Sequence, residues 1–178
     1  MTRMQDWQQW VHSPLAHWAQ HKPQALAIDD GHQQLSFAQL HAAVQQRMQA
    51  LDAANAPSTC LLDATQQPAA LITDFIATNA SGRCAALGDA AWPAAQRAQV
   101  QRSMDALAAQ TSVKTGACGR PAIDVRSPFY IGFTSGSTGQ PKGFRRHHRS
   151  WTESFRVCVD TFGSAAAGRV LAPGNLSH

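Results

Sequence analysis

The residues best suited to chemistry form one unbroken stretch, Phe129-Tyr130-Ile131-Gly132-Phe133-Thr134-Ser135-Gly136-Ser137-Thr138-Gly139-Gln140-Pro141-Lys142-Gly143. Its last ten residues hold three glycines, four hydroxyl side chains and one lysine. Glycine lets the backbone turn sharply and bring its N–H groups close to an anion. The hydroxyls of Thr134, Ser135, Ser137 and Thr138 can donate to phosphate oxygens, and Lys142 adds a point charge. Such a loop can close over a polyphosphate. It is not a Walker A loop, whose GxxxxGK[ST] pattern puts lysine directly after glycine and a helix behind it. Here Pro141 precedes Lys142 and Gly143 follows, so the lysine is expected on a loop exit. Gly136 and Gly139 also lack the spacing of a GxGxxG dinucleotide turn. The plain alternative is a flexible Ser/Gly linker, which would need neither the strand-like residues in front nor the Pro-Lys-Gly exit.

A basic run follows: Lys142, Arg145, Arg146, His147, His148 and Arg149. Residues 120–178 carry eight Lys/Arg and three Asp/Glu, a balance of +5, while residues 1–119 carry seven and eight, a balance of −1. A basic third points to an anionic partner. One reading is nucleic acid, with Trp151 and Phe155 as stacking partners. The other is a solvated strand-to-helix connection whose charges raise the local potential for an anion; no nucleic-acid motif supports the first. Adjacent histidines on a strand point to opposite faces, which argues against His147 and His148 sharing a metal. The single glutamate, Glu153, leaves few carboxylates for acid–base or metal work in this region. The four cysteines, Cys60, Cys84, Cys118 and Cys158, form no CxxC pair and are expected as buried free thiols in a reducing compartment, so the cytoplasm.

Elements must carry this loop. At 178 residues and 44% hydrophobic, the chain has enough apolar material for one packed domain. No run of about 18 apolar residues suggests a membrane span, and Met1–Trp10 has no apolar signal-like core. Helix is expected over 13–24, then a strand at Ala25–Asp29 closed by an Asp-Asp-Gly turn. Ser36 and Gln39 have capping-box spacing, with Leu35 and Leu40 at the staple positions. Phe37, Leu40, Val44, Met48 and Leu51 then form a helical stripe whose plain reading is core packing. Strands are expected at Thr59–Asp63, Arg83–Leu87, Phe129–Phe133 and Arg169–Ala172. Helices are expected at Gln67–Ala80, from Pro93 to about Gln110, and from a second capping box, Ser150 with Glu153, to about Phe162. Thr111–Pro121 reads as a loop. Strands alternating with helices of this length imply an α/β fold with a mostly parallel sheet flanked by helices.

Thr134–Gly143, read as TSGSTGQPKG, resembles in full the phosphate-binding signature of the adenylate-forming enzymes: acyl-CoA synthetases, peptide-synthetase adenylation domains and luciferases. Pro23–Leu51 is similar to that family's N-terminal opening, Gly88-Asp89 through Trp92-Pro93 to its next strand-to-helix step, and Leu171–His178 to the motif after the loop. The resemblance implies the N-terminal part of the family's large domain, with residues 12–119 as an α/β portion and 120–178 as strand, loop and following helix. It implies that Thr134, Ser135, Gly136, Ser137, Thr138 and Gly139 grip the ATP phosphates and that Lys142 steadies departing pyrophosphate. By the same resemblance His178 would line the acyl pocket; the alternative is an ordinary loop histidine. The implied reaction is ATP-dependent activation of a fatty or other organic acid to an acyl-adenylate, then transfer to a thiol such as coenzyme A.

The family's later aromatic-Gly-x-Thr-Glu segment for adenine and Mg²⁺, its Thr-Gly-Asp segment for ribose and its C-terminal domain with the catalytic lysine do not occur within residues 1–178. The expectation is therefore an incomplete domain that alone lacks catalysis, with a second polypeptide as one way to supply the missing motifs. No general base is assigned, because the attacking carboxylate is already ionised at pH 7. The other class left open is a non-catalytic phosphate- or nucleotide-binding module. An incomplete domain is also expected to leave apolar surface uncovered.

Overall fold

The computed structural model describes residues 9–110, 124–134, 141–164, 168–172 and 176, without the side chains of 107–110. Its elements run α1 (Ser13–His21), β1 (Leu26–Asp29), β2 (Gln34–Ser36), α2 (Phe37–Ala53), β3 (Thr59–Leu62), α3 (Pro68–Ala80), β4 (Cys84–Leu87), α4 (Ala94–Gln110), β5 (Pro128–Thr134), β6 (Lys142–His147) and α5 (His148–Phe162). The main sheet has the order β3-β4-β5-β6; β3–β4 and β4–β5 are parallel, and β5–β6 is antiparallel. The fold is thus α/β, a parallel-rich sheet flanked by helices. Among the described residues no helix is long and apolar enough to cross a membrane.

The first half is assembled by local chemistry. β1 and β2 form an antiparallel hairpin, whose turn is held by Asp29 accepting from the Gly31 N–H and Asp30 accepting from the His32 and Gln33 N–H groups. β2 was not expected from the sequence: three residues between a turn and a helix start give no readable alternation. The other oxygen of Asp30 accepts from Ala69 N at 3.2 Å, so a residue 39 positions away caps α3, whose own N-cap Gln67 makes no side-chain cap. The capping box of α2 forms as expected, with Gln39 N donating to Ser36 Oγ (3.3 Å) and Ser36 N donating to Gln39 Oε1 (2.8 Å). The stripe Leu40, Val44, Met48 and Leu51 is buried with Leu15 and Ala77 between α1, α2 and α3. On one face of the main sheet Leu62, Leu71 and Ala85 form a second cluster, and on the face under α4 Ala86, Val100 and Met104 form a third with Ile131 and Phe133.

Four expectations are corrected. Lys142–His147 is a paired strand rather than an unpaired strand-to-helix connection, with Lys142 its first residue after the loop; all six residues are exposed, so no inside–outside alternation announces it, and the partner β5 defines it. The second capping box does not form: α5 begins at His148, and His147 caps it by accepting from Ser150 N at 3.1 Å on Nδ1. Backbone bonds from Arg149 N to Val125 O and from His148 N to Ser127 O tie this earlier start to the chain before β5. Glu153 then turns to Arg156 at 2.7 Å. Arg169–Ala172 pairs with no strand among the described residues and is exposed, with Val170 at 81% and Leu171 at 87%. Cys84 is buried and Cys60 partly so, but Cys158 is exposed on α5. The Thr111–Pro121 loop and Cys118 lie outside the described residues.

Candidate phosphate-binding site

In an open parallel sheet, ligands sit beyond the carboxyl ends of the strands. Here those ends are Leu62 of β3, Leu87 of β4 and Thr134 of β5, joined by the amino end of the antiparallel β6 at Lys142. Thr134 and Lys142 are directly paired across the hairpin, and Thr134 Oγ1 lies 3.5 Å from Lys142 O. Both side chains are exposed. The hairpin therefore brings a hydroxyl and an ammonium eight residues apart in sequence to one edge of the sheet, as the two stems of the glycine-rich loop. Ser135, Gly136, Ser137, Thr138 and Gly139 between them lie outside the described residues, as does His178.

Two carboxylates stand at the same edge, and both are committed to local structure. Asp63 accepts from the Thr65 N–H and hydroxyl and pairs with Arg97 at 3.2 Å. The Thr65 hydroxyl and N–H bonds, then Arg97, hold the Asp63 carboxyl below the usual range. Asp89 accepts from Ala91 N and shapes the turn after β4. Among the described residues no cluster of three or more potential metal-ligating side chains exists.

The basic run splits between two environments. Lys142, Arg145, Arg146, His147 and Arg149 are exposed, while His148 is 2% exposed. His148 stacks on Phe129 at 5.0 Å, accepts from Val11 N at 3.2 Å on Nδ1, and meets the edge of His12 at 5.6 Å. Burial, then the neighbouring His12 and His147, pushes His148 down to about 4; burial alone does the same to His12. Both rings are held neutral. They lie toward Pro128 and His147, the end of the hairpin away from the loop. Their meeting had no signal in the sequence, because His12 and His148 are far apart along the chain. Trp92, which meets Phe133 edge-on at 5.0 Å beside the loop stem, was also unassigned; its Gly-Asp-x-x-Trp-Pro setting reads as a turn but not as a contact.

A parallel-rich sheet ending in a glycine-rich hairpin loop is an arrangement for binding a nucleotide or other phosphate at the strand ends. The AMP-binding enzyme family matches this chain over residues 88–178, and the chain belongs to that family. An uncharacterized acyl–CoA ligase, YhfT of Bacillus subtilis (strain 168), is 55% identical over 56 residues, which are 32% of this chain and 12% of that protein. The nonribosomal peptide synthetase opaA of Aspergillus ustus is 39% identical over 51 residues, 29% of this chain and 1% of that protein. The fold is shared with a crystal structure of the nonribosomal peptide synthetase FmoA3 in an AMPPNP-bound form, with TM-score 0.72 and 17% identity over 95% of this chain and 20% of that one. The chain thus spans 12% or less of the length of these two curated relatives.

Proposed function

We propose that this chain supplies the ATP phosphate-binding part of an enzyme that activates a carboxylic acid as an acyl-adenylate and passes the acyl group to a thiol. The observation that carries the reading is the pairing of Thr134 with Lys142 at the carboxyl edge of a parallel-rich sheet, as stems of the TSGSTGQPKG loop. In this reading Thr134, Ser135, Gly136, Ser137, Thr138 and Gly139 hold the β- and γ-phosphates, and Lys142 stabilises the charge that grows on the leaving pyrophosphate. A carboxylate oxygen of the acid attacks the α-phosphorus and the bond to the β-phosphate oxygen breaks. The thiolate of coenzyme A or of a carrier protein then attacks the acyl carbonyl, and AMP leaves. The acid, fatty or otherwise, is the nucleophile and needs no base.

Residues 12–119 act as the α/β support and 120–178 as the nucleotide-gripping portion, with His178 at the acyl pocket. Mg²⁺ would arrive on the nucleotide, with its protein ligand from outside the described residues. The free thiols Cys60, Cys84 and Cys158 support a reducing, cytoplasmic setting. The exposed arginines of β6 raise the potential near the phosphates rather than read nucleic acid.

Acid-dependent ATP–pyrophosphate exchange tests the proposal, with the 178-residue chain alone and with a polypeptide carrying the remaining family motifs. Exchange is expected only in the second case, and Lys142→Ala should lower it on the order of 10²-fold, as loss of one charge-stabilising group does. Exchange by the chain alone would contradict the need for the missing motifs. ATP binding without exchange in either case would favour a non-catalytic phosphate-binding module.

A further inference from the structure

We infer that Trp92 is a positioning residue for the phosphate loop, holding both of its stems through one continuous stack; the ligand in this inference rests on the reading above. The stack starts at Gly88, just past β4. A Cβ placed there would lie 2.5 Å from Trp92 Cζ3 and 2.9 Å from Cε3, so the indole lies directly on bare backbone. Trp92 is brought there by a tight turn, with Trp92 N donating to Asp89 O and Ala91 N donating to the Asp89 carboxylate. The indole meets Phe133 edge-on at 5.0 Å. Phe133 in turn covers Gly143, whose Cβ, if present, would lie 3.3 Å from Phe133 Cε1.

Phe133 and Gly143 are paired residues, each adjacent to a loop stem, Thr134 and Lys142 respectively. The stack Gly88–Trp92–Phe133–Gly143 therefore couples the turn after β4 to both sides of the loop. It is anchored below by Ala86, Val100 and Met104 under α4. β4 and β5 stop pairing at Leu87 with Gly132, so beyond that point this side-chain stack carries the register. Without Trp92, Phe133 loses the surface that fixes it over Gly143, and the stems are free to splay.

Amide hydrogen exchange on the full chain tests this without any ligand, and ATP binding by calorimetry is measured beside it. In Trp92→Ala, protection at Phe133, Thr134, Lys142 and Gly143 should fall about ten-fold or more, while Val44 and Met48 of α2 stay as in the parent. Trp92→Phe should restore most of it. Gly88→Ala, which keeps the indole but pushes it off its seat, should reproduce the loss and decides the question if Trp92→Ala does not fold. ATP affinity should fall with stem protection, by roughly ten-fold, since small misplacements of a positioned group are costly. Unchanged stems, or an equal loss at α2 and the stems in Gly88→Ala, overturns the inference. A parent chain that binds no ATP even with the polypeptide carrying the remaining family motifs overturns the reading of the site, while the exchange pattern still decides the role of Trp92.

Discussion

At the residue scale, the buried His148 and the partly buried His12 make a prediction that geometry and charge agree on. Each is pushed from 6.5 to about 4, chiefly by burial. In the unfolded chain both rings take up protons near pH 6.5, whereas the folded chain resists until about 4. Between those values the unfolded state binds more protons, so stability is full above pH 6.5 and drains away as pH falls toward 4. Each unit of depression is worth about 1.4 kcal/mol, so the loss over this window should be on the order of 3 kcal/mol or more. His147 near His148 adds to the repulsion against a second positive charge. His12 Nδ1 has no partner among the described residues, so His12→Leu should cost little at pH 8 and flatten the slope. Urea midpoints between pH 4 and 8 check this; equal slopes in parent and variant would refute it.

At the element scale, the best-defined device outside the site is Arg83, which leads into β4 at 5% side-chain exposure. Its Nη1 meets Asp52 at the end of α2 at 2.8 Å, and its Nε donates to Ala56 O at 3.1 Å. One guanidinium thus ties the α2–β3 connection to β4. Arg83→Ala should cost about 3 kcal/mol, because it removes a buried guanidinium that pairs with Asp52 and holds the Ala56 carbonyl; a urea midpoint within error of the parent would rule this out. Elements with their own local signals were readable from sequence: the Ser36–Gln39 box of α2, the aromatic and β-branched run of β5, and the proline start of α4. Elements made by partners were not. β6 is a fully exposed strand that, among the described residues, pairs with β5 alone, and the start of α5 is set by Val125 and Ser127 and by a histidine cap that competes with the Ser150–Glu153 spacing. The candidate site divides in the same way. Thr134–Gly143 is contiguous, so its chemistry stands in one line of sequence, whereas the Trp92–Phe133 contact depends on β4 and β5 lying side by side.

At the scale of the whole molecule, the outer face of α5 sets how the chain behaves in solution. Trp151, Phe155, Val159 and Phe162 recur at helical spacing, and the last three are 49%, 37% and 73% exposed. Phe144 on β6 is also open, at 43%. Trp151 stacks edge-on with Phe155 at 5.7 Å and also meets Phe129 and Tyr130, so the stripe is the outward continuation of an aromatic cluster on the sheet. Apolar surface gathered along one helix in this way drives association, and at roughly 25 cal/mol per Å² even partial cover of these rings is favourable. The 178-residue chain should therefore self-associate in sedimentation experiments and bind a dye that reports exposed apolar surface. Phe155→Ser with Phe162→Ser should suppress both while lowering the unfolding free energy by only about 1 kcal/mol, most of it from the lost Phe155–Trp151 contact. The exposed basic residues of β6 give the alternative a distinct signature: if charge rather than the α5 stripe drove association, raised salt would dissolve the assemblies and the double variant would not.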